Sequence, residues 1–141
     1  LVDVWLAPLR RIDGDGEPVE QILRYVLDKL EMSRTMPRES RLFATEILHG
    51  APRTGAALAG DLKSLVDEKA ALIQRWITDG KLAKVDPHHL IFSIWAMTQH
   101  YADFDVQVRA VLGAPDKSAL FDDADAFLTD FFVRALRPTP A

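Results

Sequence analysis

The chain has 141 residues, with 17 Lys and Arg against 21 Asp and Glu, four His and no Cys. That length fits one domain with a real core, and 48% hydrophobic with 27% charged residues excludes wholesale disorder. The missing cysteine excludes disulfides, thiol catalysis and Cys-ligated metal; the net charge of -4 argues against this chain gripping a phosphate backbone by itself; and no apolar run approaches the ~20 residues of a membrane span.

Leu1, Val2, Trp5, Leu6 and Leu9 fall at helical spacing with no cap or turn ahead of them. This reads as a helix entered part-way along, so a segment N-terminal to it is expected in the parent protein. Asp13-Gly14-Asp15-Gly16 is a turn, and Pro18 suits the first turn of a second helix. Val19, Ile22, Leu23, Val26, Leu27 and Leu30 give that helix an apolar face. Pro37 ends it and opens a short third helix carrying Leu42, Phe43, Ile47 and Leu48, which stops at Gly50-Ala51-Pro52.

A longer helix is predicted from about Gly55 to Asp79, closed by Gly80. Asp86 as N-cap and Pro87 at the first helical position start the next. Leu90, Ile91, Ile94, Trp95, Met97, Thr98 and Tyr101 make it apolar around much of its circumference. It is expected to run towards Gly113, with an irregularity near Asp103. The last helix carries Leu120, Phe121, Ala124, Phe127, Leu128, Phe131 and Phe132, and Pro138 and Pro140 end it. The expected fold is all-α, an antiparallel helical bundle of five to six helices. The last two helices carry more apolar surface than one-sided packing buries. Phe121, Ala124, Leu128, Phe131 and Phe132 are therefore expected to pair two chains in a four-helix homodimer interface.

The most informative stretch is Trp95 to Tyr101. Trp95, Thr98 and Gln99 stand at i, i+3 and i+4 on one helix side. An indole face stacks on planar rings, and a carboxamide offers an acceptor and two donors, the complement of an amide or imide edge. A planar heterocycle with amide edges suits both; a protein-satisfied Gln99 beside a core Trp95 suits the same spacing. His88 and His89 are adjacent, so on a helix they point about 100° apart. His49, His100, Asp103 and Glu46 form a second, metal-binding alternative. Asp13 to Glu17 starts like a calcium loop, but Pro18 stands at its sixth position and Arg24 at its twelfth. No P-loop, nucleophile elbow or HExxH is present, so no enzyme, cofactor or metal is expected.

The segments DVWLAPL, SRLFATEILHGAP, the block from GDLKSLVDEK to MTQHYADF, and the ALRP tail resemble the C-terminal domain of TetR-type transcriptional regulators, in particular those of pyrimidine utilisation. The resemblance implies that residues 1–141 are an effector-binding and dimerisation domain in a cytoplasmic protein. Operator DNA would be a partner only through an N-terminal helix-turn-helix domain absent from this chain. It implies uracil or thymine as effector, held by Trp5, Trp95 and Gln99, with Phe43, Glu46, Ile47, Thr98 and Tyr101 as further pocket residues. Another small aromatic or acyl effector is the alternative within the family.

Overall fold

The computed structural model describes residues 2–139. Leu1, counted into the first apolar face, and Pro140, counted as a terminator, lie outside them, as does the side chain of Val2. The chain is all-α: α1 (Val2–Arg10), α2 (Pro18–Thr35), α3 (Pro37–Leu48), α4 (Gly55–Ala57), a π-helical turn (Leu58–Leu62), α5 (Lys63–Thr78), α6 (Pro87–Asp103), α7 (Asp105–Val111) and α8 (Lys117–Leu136). No described residue lies in a strand. No helix among the described residues is long and apolar enough to cross a membrane.

There are more segments than the five or six expected, for two reasons. The stretch from Gly55 to Thr78 is one helical path interrupted by the π turn. The path after Pro87 breaks at Phe104, whose backbone leaves helical geometry at φ -121° and ψ 32°, close to the irregularity expected near Asp103. Helix starts follow local chemistry. Pro18, Pro37 and Pro87 sit in first turns, where a missing N–H costs nothing. Asp86 caps α6 by accepting from the His89 amide at 3.0 Å. Replacing Asp86 with Ala should lower the melting temperature by a few degrees, and Asp86→Asn should restore most of it, because the amide oxygen still accepts that bond.

α2 is the central element, packed on α6 and α8, with α1 and α3 against its flanks. Its buried positions are Pro18, Gln21, Ile22, Tyr25, Val26, Lys29, Leu30 and Ser33, whereas Leu23 and Leu27 are only half-buried. The inward face is thus rotated from the purely apolar one and takes in four polar side chains, Gln21, Tyr25, Lys29 and Ser33. α6 buries Leu90, Ile91, Ile94, Thr98 and Ala102, and α8 buries Leu120, Phe121, Ala124, Leu128, Phe132 and Leu136. Four of the five residues expected at a chain–chain interface are therefore in this chain's own core; Phe131 alone is exposed, 45%. α3 departs from expectation too. Leu42, Ile47 and Leu48 are exposed, Leu48 to 83%, and Ser40 is its buried position. Ser40 bonds the Asp103 carboxylate at 2.6 Å, and Arg41 reaches the Ala102 carbonyl at 3.1 Å. α3 is held to the end of α6 by polar bonds as well as packing.

Candidate effector cavity

A cavity of about 70 Å³ opens where α1, α2, α3, the π turn and α6 meet. Each element contributes for a local reason. α1 brings in Trp5 and Leu6 and, one helical turn on, Leu9, all buried. Its exit is fixed from two sides: Lys69 of α5 donates to the Ile12 carbonyl at 2.5 Å, and Gln21 accepts from the Asp13 amide at 2.8 Å. α2 contributes Tyr25 and Lys29, i and i+4. α3 contributes Phe43, the π turn Leu58 and Leu62, and α6 Trp95 and Gln99.

The polar groups are unusual for an apolar cavity. The Trp95 indole N–H donates to the Tyr25 hydroxyl at 2.8 Å, which fixes the ring plane at the cavity wall. Burial pushes the Tyr25 phenol well above its ordinary value, partly offset by this bond, so Tyr25 stays neutral. Lys29 is 4% exposed. Its ammonium lies 4.9 Å from the centroid of the Trp5 ring, a cation–π contact. Burial lowers its pKa to about 8, and the Asp103 charge opposes that fall. The Trp5 indole nitrogen is buried and has no hydrogen-bond partner. A buried donor left unpaired costs about 1–3 kcal/mol. The cavity wall thus holds donors in excess of acceptors, and no carboxylate lines it.

Of the eight residues expected at an effector site, Trp5, Phe43, Trp95 and Gln99 come together here. The other four lie elsewhere. Thr98 is fully buried and returns its hydroxyl to the Ile94 carbonyl at 2.7 Å. Glu46 braces the loop after α3, accepting from the amides of Arg53 and Thr54 at 2.7 and 2.9 Å. Ile47 is exposed. Tyr101 lines a different cavity. Six further residues line the cavity without having been expected there: Leu6, Leu9, Tyr25, Lys29, Leu58 and Leu62. Tyr25 and Lys29 carry a signal in the sequence, being polar residues at i and i+4 in register with buried Ile22 and Val26; the four leucines carry none beyond their apolarity.

The metal-binding alternative fails on geometry. His49 is tied to the Thr45 carbonyl, Asp103 accepts from Ser40, His100 stacks on Phe104 at 5.1 Å, and Glu46 is the loop brace. Among the described residues no three His, Cys, Asp or Glu are grouped to hold an ion. His88 bonds Asp67 instead, at 2.9 Å.

Residues 1–139 match the TetR C-terminal family described as YcdC-like protein, C-terminal region. Over 121 residues the chain is 54% identical to the HTH-type transcriptional regulator RutR of Escherichia coli O157:H7, and equally to the regulators of that name from Escherichia coli strain K12 and Shigella flexneri. Each alignment covers 86% of this chain and 57% of the relative. The chain therefore spans less than two thirds of the length of these relatives.

Proposed function

The chain belongs to the TetR-type family of YcdC-like C-terminal regions, and on that premise we propose that it is the effector-binding and pairing domain of a transcriptional regulator, responsive to a pyrimidine base. The observation that carries the effector class is the donor-rich wall between two indoles. Uracil and thymine are planar, carry two carbonyl oxygens, and place an N–H between them. Trp95 and Trp5 offer ring faces. The Gln99 carboxamide pairs an N–H and an adjacent carbonyl in one plane. The Lys29 ammonium and the unpaired Trp5 N–H are the donors left for the remaining carbonyl. A hydrocarbon ring, or the methylenes of an acyl chain, would leave those donors unsatisfied, which disfavours effectors that fill the cavity with either.

The regulatory step follows from where those residues stand. Trp5 is on α1, and Trp95 and Gln99 are on α6. A base bridging them fixes the angle of α1 against the bundle. In a dimer, α1 of each chain would carry a DNA-reading head, and two heads must sit about one helical turn of DNA apart, ~34–36 Å. A ligand that prefers one α1 angle shifts that spacing and so the affinity for DNA. The expected sign is release. The relatives named above are HTH-type regulators by name, which supports this reading; the reading head is not part of the residues described.

The pairing surface is proposed on the exposed side of α6 and α8. Phe127 and Phe131 stack at 5.8 Å there, beside a groove lined by His89, Ser93 and Met97 of α6. Two chains joined across it would form a four-helix interface.

Thermal shift tests the effector. Uracil and thymine at about 100 times Kd should add ~2.7 kcal/mol of stability, while adenine, which has no carbonyl oxygen to accept from the donor-rich wall, should add none. Gln99→Ala should remove the gain and leave the unliganded melting curve in place. No shift with either pyrimidine would overturn the assignment.

A further inference from the structure

Tyr101, Arg109 and Lys117 meet at a second cavity that the proposed effector site does not use. It lies where the end of α2 and the start of α3 face α6, α7 and the first turns of α8, and it encloses about 150 Å³. That is room for a small molecule and not merely a lone water. None of its lining residues lines the first cavity.

Its chemistry is asymmetric. The floor is apolar, built from Val108, Leu120 and Phe121. The Tyr101 and Phe121 rings meet at 6.2 Å and 55°, giving an aromatic wall. Burial pushes the Tyr101 phenol up, so it remains a neutral hydrogen-bond donor. At the rim stand Arg109 and Lys117. Neither has a carboxylate within ion-pair distance among the described residues. The lining carboxylate, Asp105, is engaged by Arg41 at 3.5 Å. Asp116, beside Lys117, is turned to the Ala119 amide as the cap of α8. A chain of net charge -4 thus presents two uncompensated cations over an aromatic, apolar floor.

The geometry points to a second binding site, for a small aromatic monocarboxylate whose ring lies against Tyr101 and Phe121 and whose carboxylate is held by Arg109 and Lys117. A neutral ring would leave the cations unpaired, and inorganic phosphate would gain nothing from the floor. Either compound binding as well as an aromatic carboxylate would contradict the site.

The test titrates benzoate, benzamide and inorganic phosphate into the ¹⁵N-labelled chain and follows amide resonances. Benzoate should shift residues 101–121 saturably, with Kd below about 1 mM. Benzamide and phosphate should bind at least tenfold more weakly. The doubly substituted Arg109→Gln, Lys117→Gln chain should lose at least tenfold in benzoate affinity. Both positions are exposed, so that variant should stay folded and keep its response to uracil. The inference is overturned by no saturable response, by equal affinity for benzamide, by an undiminished response in the double variant, or by shifts confined to the surroundings of Trp5, Trp95 and Gln99.

Discussion

Lys29→Met should make the protein more stable and a poorer binder of uracil. The lysine is buried among Trp5, Tyr25 and Trp95, with its ammonium over the Trp5 ring. Its pKa falls from 10.5 to about 8, chiefly through burial. A fall of that size corresponds to about 3 kcal/mol of unfavourable charge burial at neutral pH. Methionine has a similar reach and no charge to bury. It forfeits the cation–π contact, worth about 1–2 kcal/mol, so the net gain should be about 1–2 kcal/mol, seen as several degrees in the melting temperature at pH 7. Uracil affinity should fall roughly tenfold or more if the proposed charge-assisted bond from Lys29 to a carbonyl of the base is lost.

The same residue dictates a pH dependence. Below pH 8 Lys29 is protonated in both folded and unfolded chains, and the full cost of burial is present. Between about 8 and 10.5 only the unfolded chain holds the proton, so stability rises with pH. Tyr25 acts in the opposite direction, since burial raises its pKa from 10. The unfolded chain ionises Tyr25 above pH 10, and stability then falls. The window from pH 8 to 10 therefore isolates Lys29. The wild-type chain should gain stability across it relative to Lys29→Met in chemical denaturation. If the variant melts lower at pH 7 and binds uracil as tightly, Lys29 is a structural residue only.

Lys29 also marks where the sequence is only half legible. It stands in register with buried Ile22 and Val26, yet a mid-helix lysine also reads as solvated. What covers it, the Trp5 ring of α1, is set by tertiary packing that no local pattern announces. Positions on α6 are separable by helical angle alone. At about 100° per residue, Gln99 lies ~40° from Trp95, while Thr98 lies ~60° to the other side and Tyr101 ~120° away. A cavity flanked by Trp95 and Gln99 therefore excludes Thr98 and Tyr101. Phe43 could be reached from its spacing on α3, but Glu46 and Ile47 one turn later could not be separated from it, because α3 is positioned by Ser40–Asp103 and Arg41–Ala102 bonds that no local pattern announces. Leu58 and Leu62 stand at the two ends of the π turn, a break in the α-helical pattern that apolar spacing does not announce.

The helix ends were readable because they are local: three prolines, Asp86 and Gly80 determine them. Gly80 takes φ +75° at the end of α5, the left-handed conformation that glycine adopts without a Cβ penalty. The side of α8 that faces its own chain was not readable, since Phe127, Leu128, Phe131 and Phe132 are all apolar and the sequence carries two overlapping stripes.

Those two stripes separate experimentally. Phe132 is 2% exposed and packed in the core with Leu128 and Leu136. Phe132→Ala should cost about 3–5 kcal/mol through lost burial and the cavity left behind, which is a large part of the stability of an ordinary domain. It should unfold or melt far below the parent chain. Phe131 lies next to it on the other stripe, stacked with exposed Phe127. A charge there meets water in a single chain but apolar surface in a four-helix pairing, where an unpaired carboxylate is expensive to bury. Phe131→Glu should leave the far-ultraviolet circular dichroism and the uracil response unchanged and convert the sedimenting species from twice the chain mass to the chain mass. The proposed pairing surface fails if Phe131→Glu remains dimeric at micromolar concentration. It fails equally if Phe132→Ala stays folded and merely dissociates, for then Phe132 would be facing the partner and not its own core.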